Sequence, residues 1–262
     1  MAVRVSYPEK GGYSWVDALR PFVQVGAVEV AFKSPCLFLN TVELREVVAP
    51  FSRVPIQVAA VHMAHARITE ADIFTKTLEK TVHIAEALDC CLIVVHPSRG
   101  QLSQVEKLIS SKIDPLLERA EVSLCWETFE SKKRFLSGIE GIAAFCMGRE
   151  RHAVCYDTSH LHKPQAEVLV DIGAHINLIQ CFHLSNRAEA SSRPKQHLPL
   201  RHPEGELDFA LIVRKIREHN FQGVLTLEYL REYHDWLVED ALWVKGILGM
   251  EENQEEGNAG CR

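Results

Sequence analysis

Eight short apolar runs, each followed by a longer segment with helical spacing, constrain this chain more than any other feature. The runs span 3–7, 27–32, 55–62, 91–96, 122–127, 153–157, 178–184 and 223–229. They are almost continuously apolar, the pattern of strands covered on both faces. Helical spacing fills 14–24, 40–52, 69–88, 101–119, 137–147, 164–173, 208–219 and 234–248. In the third of these, Ile73, Leu78, Val82, Ile84, Ala85 and Leu88 recur on a helical period, and Thr69 is placed to cap its start with Asp72 three residues on. Eight strands alternating with eight helices in 262 residues is the tally of an α/β chain forming a single (β/α)8 TIM barrel; a doubly wound open sheet is the alternative. No linker breaks the alternation, so one barrel domain is expected over 1–249. The polar stretch 250–262 lacks a core pattern and is expected to be a disordered tail.

Composition enters mainly by exclusion. Hydrophobic content of 47% and charged content of 24% describe an ordinary globular chain. No apolar run reaches the ~18–20 residues that cross a bilayer, and the N-terminus has no apolar leader, so a cytoplasmic protein with no membrane partner is expected. The net charge of −6 weighs against nucleic acid as a partner. Eight cysteines contain no CxxC pair, and Cys91, Cys125, Cys155 and Cys181 fall in strand-like runs, which reads as buried free thiols.

In a barrel of this kind the site is built where strands end. The third run ends in His62, the fourth in His96 and the fifth in Glu127. The sixth ends in Asp157, with His160 three residues on; the seventh carries His183 near its end and the eighth carries Glu228. Each residue alone has a plain structural explanation, as a cap or a solvent-facing carboxylate. Together they place a possible metal ligand at six consecutive strand ends. Converging carboxylates repel one another unless a cation stands among them. A mixed Asp/Glu/His shell suits Mn, Zn, Co or Mg as the divalent metal cofactor.

The segments VAAVH, VVHPSRG, LCWETFE, VCYDTSHLH, CFHLSN, PEGELDF and LTLEY, in that order, resemble the xylose isomerase-like (β/α)8 superfamily, which includes sugar isomerases, ketose epimerases and endonuclease IV-type DNA repair enzymes. By position the resemblance implies one metal held by Glu127, Asp157, His183 and Glu228, with Glu127 and Glu228 also flanking the substrate as acid and base. It implies a small-molecule substrate, a sugar or sugar phosphate. In the endonuclease branch, further metal ligands would correspond to His62, His96, His160 and His197. The chain departs from that branch at Lys195, where an Asp is expected, and at HMAHARIT and YLREY. It departs from the epimerases at Asn186, where an acid is usual.

The stretch 185–206 is long for a connection in a compact domain. Its Arg193, Lys195 and Arg201, with Arg99 from HPSRG, are candidate anion contacts, although Glu189, Glu204 and Glu206 offset much of the charge. Three functions are therefore expected in order: a metal-dependent isomerase or epimerase, a multi-zinc phosphodiesterase acting on abasic DNA, and a non-catalytic barrel that keeps a metal site. No interface stripe marks an oligomer.

Overall fold

The computed structural model describes residues 1–6, 15–32, 48–131, 133–189 and 195–249. The strands β1 (Ala2–Ser6), β2 (Ala27–Ala31), β3 (Gln57–His62), β4 (Leu92–Val95), β5 (Ser123–Glu127), β6 (His152–Asp157), β7 (Ile179–Leu184) and β10 (Val224–Leu227) run parallel. They are ordered β1-β10-β7-β6-β5-β4-β3-β2, and pairing of β1 with β2 closes the ring. A separate antiparallel hairpin, β8 (Asn186–Ala188) with β9 (Lys195–Leu198), occupies part of the long connection after β7. The open-sheet alternative is thereby excluded.

Helices α1 (Trp15–Leu19), α2 (Ala71–Ala87), α3 (Leu102–Leu108), α4 (Asp114–Ala120), α5 (Gly138–Cys146), α6 (Gln165–His175), α7 (Phe209–Glu218) and α8 (Leu237–Leu248) accompany the ring. The segment 101–119, expected as one helix, carries a π turn at Ile109–Ile113 between α3 and α4. Pro115 explains it, because a proline inside a helix removes one amide donor and crowds the carbonyl four residues earlier. Glu70, not Thr69, stands at the start of α2, and Ile73 faces solvent while Phe74, Leu78, Val82, Ile84 and Ala85 are buried. Most of the helix expected over 40–52 lies outside the described residues, as does the expected tail 250–262; what is described near Ala49–Arg53 is a 3-10 turn. Among the described residues, no helix is long and apolar enough to cross a membrane.

Two apolar layers explain the near-continuous hydrophobic strands. The large one lies between ring and helices and includes Trp126, Tyr156, Phe182 and Leu227. The small one fills the inside of the ring with Ala60, Leu92, Val94, Cys125, Ala153, Cys155 and Cys181. Side chains two apart on a strand share a face. Cys125, Cys155 and Cys181 therefore stand directly below Glu127, Asp157 and His183. The thiols are small fillers beneath the site, and all three are free and fully buried, as are Cys90 and Cys146 apart from slight exposure. Cys91 corrects the expectation: half-buried at the rim where β4 begins, it is disulfide-bonded.

Candidate metal centre

Glu127 and Asp157 are the last residues of β5 and β6, His62 is the last of β3, and His183 is next to last in β7. His96 and Glu228 follow immediately after β4 and β10. The strand-end logic thus delivers these six side chains to one mouth. His160 arrives on the turn after β6, and His197 arrives from the hairpin.

Asp157 is oriented by its own turn. Its Oδ1 accepts hydrogen bonds from Ser159 N at 2.7 Å, Ser159 Oγ at 2.9 Å and His160 N at 3.0 Å. This leaves Oδ2 buried with no hydrogen-bond partner. The sequence DTSH is therefore an Asx-type turn and does not cap a helix, since α6 begins only at Gln165.

His183 is oriented from β2. Its Nε2 donates to Glu29 Oε2 at 3.0 Å, and Thr226 Oγ1 donates to the same oxygen at 3.0 Å. The opposite nitrogen, Nδ1, then faces Glu228 Oε2 at 2.9 Å, Glu127 Oε2 at 3.5 Å and Asp157 Oδ2 at 3.8 Å. Burial disfavours the charged ring, but Cys155 and the carboxylates of Glu29, Glu127 and Glu228 outweigh it and hold His183 well above the usual histidine range. A positive centre is what that cluster of acceptors requires, and a proton is one way to supply it. Arg4 supplies another on the far side: it pairs with Glu228 and approaches Glu29 at 3.9 Å.

His62 makes the same case more sharply. Its Nδ1 donates to Met63 O at 3.1 Å, which leaves the lone pair of Nε2 facing Glu127 Oε2 at 3.1 Å. Burial first, and then Arg4, push the His62 ring down to about 4, so it is neutral near pH 7. Two acceptors facing each other are repulsive unless a cation lies between them. His96 Nε2 stands 2.9 Å from the same oxygen. On the other flank His160 Nδ1 lies 2.9 Å from Glu127 Oε1 and 3.4 Å from Asp157 Oδ2, while its Nε2 is 3.2 Å from His197 Nε2. Burial lowers His160, but Asp157 and Glu127 more than reverse this and raise it to about 9.

Burial alone would raise the Glu127 and Glu228 carboxyls. The imidazoles around Glu127, and Arg4 with His183 beside Glu228, hold both well below the usual carboxylate range. Glu127 Oε1, Asp157 Oδ2, His183 Nδ1 and Glu228 Oε2 are all buried atoms without a hydrogen-bond partner. Glu127, Asp157 and His183 gather oxygen and nitrogen donors as a divalent cation requires, and Glu228 adjoins this group through His183 without joining it. Among the described residues four donor triads have their ligand atoms within 4.8 Å of one another: Glu127/Asp157/His183, His62/His96/Glu127, Asp157/His160/His197 and, directly below, Cys155/Cys181/His183.

The expected anion contacts are not gathered in the same way. Lys195 pairs with Glu204 at 2.5 Å, and Arg201 pairs with Glu239 and Asp240 of α8 at 2.8 and 2.7 Å. Arg193 lies outside the described residues. Glu29, Arg4 and Thr226 were missed by reading strand ends alone. The signal was present, since Glu29 and Arg4 are charged residues in the middle of strands whose neighbouring residues are apolar.

Residues 42–249 match the family model described as xylose isomerase-like TIM barrel. No curated protein matches the chain in sequence. Among solved structures, 3-keto-D-glucoside 4-epimerase from E. coli superposes with a TM-score of 0.70 at 13% identity, covering 94% of this chain and 98% of that one. A xylose isomerase-like TIM barrel protein from Mycobacterium smegmatis, in complex with magnesium, gives 0.72 at 12% identity, covering 90% and 88%. Endonuclease IV from Thermus thermophilus gives 0.63 at 18% identity, covering 95% and 97%.

Proposed function

We propose that this chain, which belongs to the xylose isomerase-like TIM barrel family, is a divalent-metal-dependent isomerase or epimerase of a small sugar or sugar derivative. One observation carries the reading. Glu127, Asp157 and His183 bring ligand atoms within 4.8 Å of one another, Glu228 Oε2 stands 2.9 Å from His183 Nδ1, and each of the four residues has a buried atom without a hydrogen-bond partner. The similarity to a sugar epimerase supports it at the level of the fold.

A divalent cation held by these four residues would supply Lewis-acid polarisation of adjacent carbonyl and hydroxyl oxygens. The remaining chemistry belongs to the chain. Glu127 and Glu228 stand on β5 and just after β10, with β6 and β7 between them in the ring. They can therefore address a sugar carbon from different sides, one carboxylate taking the proton next to the carbonyl and the other returning it. Arg4 fixes one oxygen of Glu228, and Glu29 fixes the ring of His183, so neither has to reorganise during turnover. Replacing Glu228 with Gln is expected to lower kcat by about 10²–10⁴-fold on a ketose or aldose substrate found by screening. Full activity would remove Glu228 from the reaction.

A second reading is favoured by a separate observation. The triads His62/His96/Glu127 and Asp157/His160/His197 share Glu127 and Asp157 with the first, as a multi-metal centre cleaving a phosphodiester would require. Elemental analysis of protein purified without chelator separates the two readings. About one metal per chain supports the isomerase; two or three, with incision of abasic-site duplex, would transfer the assignment to the phosphodiesterase.

A further inference from the structure

Volume filling does not explain why two of the thiols beneath the site stand together with a histidine. Cys155 on β6 and Cys181 on β7 are register partners, and so are Asp157 and His183 one layer above them. An irregularity between Val154 and Cys155 makes this so: Val154 pairs with Ile179, Cys155 pairs with Cys181, and Gln180 is passed over. Without that shift Cys155 would stand opposite Gln180. A slip of one residue turns a strand's side chains to the other face, so the two thiols would no longer share the inside of the ring. With it, both belong to the small inner layer, and both are free.

The two sulfurs and one nitrogen of His183 lie within 4.8 Å of one another, and all three residues are 0% exposed. This donor set differs in kind from the one above it. Glu127 and Asp157 offer hard oxygens, whereas here two of the three donors are polarisable sulfurs. A hard cation such as magnesium dehydrates reluctantly and keeps several waters, which a triad with no exposed surface does not supply. A soft cation that is satisfied by two or three ligands needs none. His183 belongs to both sets, and its Nε2 is engaged with Glu29 at 3.0 Å. The ring is therefore able to serve one ion at a time, that of the sulfurs or that of the carboxylates.

We propose that Cys155, Cys181 and His183 form a second metal site, which takes a soft cation of low coordination number, cuprous copper, with thiol protons lost to solvent. This site competes with the carboxylate set for His183, so a copper-loaded chain holds less hard metal at the mouth. The sulfur donors carry the site whether or not the barrel is an isomerase.

The test is anaerobic titration of the reduced full chain with cuprous ion delivered from a chromogenic chelator and followed to equilibrium. The wild type is expected to withdraw copper from the chelator. Cys155→Ser and Cys181→Ser are each expected to bind it about tenfold more weakly or worse, while Cys146→Ser, at the end of α5, binds as the wild type does. Copper K-edge absorption of the wild type, which needs no variant, is expected to show sulfur scatterers at the metal. No copper uptake, a shell of nitrogen and oxygen alone, or uptake unchanged in both Cys155→Ser and Cys181→Ser would overturn the site. A further readout tests His183: protein equilibrated with manganous ion is expected to release it as copper is added, seen as growth of the free-ion electron paramagnetic resonance signal. Both ions held together would remove His183 from the sulfur set and overturn the site as proposed. Failure of the isomerase reading would show instead in the Glu228→Gln turnover and in manganous ion that never binds, neither of which alters the copper titration or the absorption spectrum.

Discussion

The two ring nitrogens of His183 have different tasks. Nε2 is committed to Glu29, and that bond turns Nδ1 toward the carboxylates of Glu228, Glu127 and Asp157. Groups that orient a metal-binding imidazole typically contribute 10–100-fold in metal affinity. Glu29→Ala is therefore expected to weaken metal binding by about that factor, read by competition with a chromogenic chelator, while the ring remains closed. A second histidine reports on stability. His152, at the start of β6, accepts from Trp126 Nε1 at 2.9 Å and donates from Nε2 to Asp114 at 2.8 Å, so it is neutral in the fold. Burial lowers its affinity for a proton; Asp114 opposes this and Arg149 reinforces it, and the balance is a lowered value. The unfolded chain consequently binds the proton first as pH falls. Its contribution to stability is complete above the ordinary histidine value near 6.5 and is lost as pH falls toward the lower folded value. Unfolding free energy from urea titrations should decline over that window, and His152→Gln should flatten the decline.

The hairpin after β7 shows what an element requires beyond its own strands. Asn186 donates from Nδ2 to Leu200 O and Leu207 O at 2.9 and 3.0 Å, and its Oδ1 accepts from Arg187 N and Leu207 N at 2.9 and 3.0 Å. Only an amide can do both. An acid at this position, usual among the epimerases that the chain resembles, would leave two buried carbonyls without donors. Asn186→Asp is expected to cost about 1–3 kcal/mol per unsatisfied group in thermal or urea unfolding. The eight barrel strands were legible because burial on both faces writes a continuous apolar run, and every observed bound falls within two residues of the run that announced it. The hairpin was not legible. Its residues 195–198, Lys-Gln-His-Leu, lack an apolar run, and its place is held by side-chain bonds to distant backbone. His197 has φ of 56°, in the left-handed region that few residues other than glycine adopt. No periodicity announces such a conformation; it is imposed by the surroundings, where His197 O accepts from Leu230 N at 3.0 Å.

For the whole molecule, the ring fixes the layout of the candidate site, where buried carboxylates meet imidazoles and Arg4. Strand ends pointed to six candidate donors directly, because the parallel strands of a closed barrel finish at the same rim. What strand ends could not give was the supporting charge of Arg4 and Glu29, which lies deeper in the ring. A cation that binds the folded chain and not the unfolded one stabilises it by about 4 kcal/mol at a thousandfold excess over Kd. Chelation is thus expected to lower Tm, at about 2–4 °C for each kcal/mol in a chain of this size, with recovery on adding back metal in a scanning calorimeter.

The hairpin also separates two histories that share one rim. His62, Glu127, Asp157 and His183 lie in the ring strands, and His96 and Glu228 directly after theirs. His197 belongs to a short appendage pinned by Asn186 and Arg187, and contributes only to the triad with Asp157 and His160. If the proposed metal centre forms, the number of ions it can hold would be set in part by this hairpin. Changing a few residues of the hairpin would subtract one donor set and leave the Glu127/Asp157/His183/Glu228 set whole, a route by which one scaffold could trade between single-ion and multi-ion chemistry.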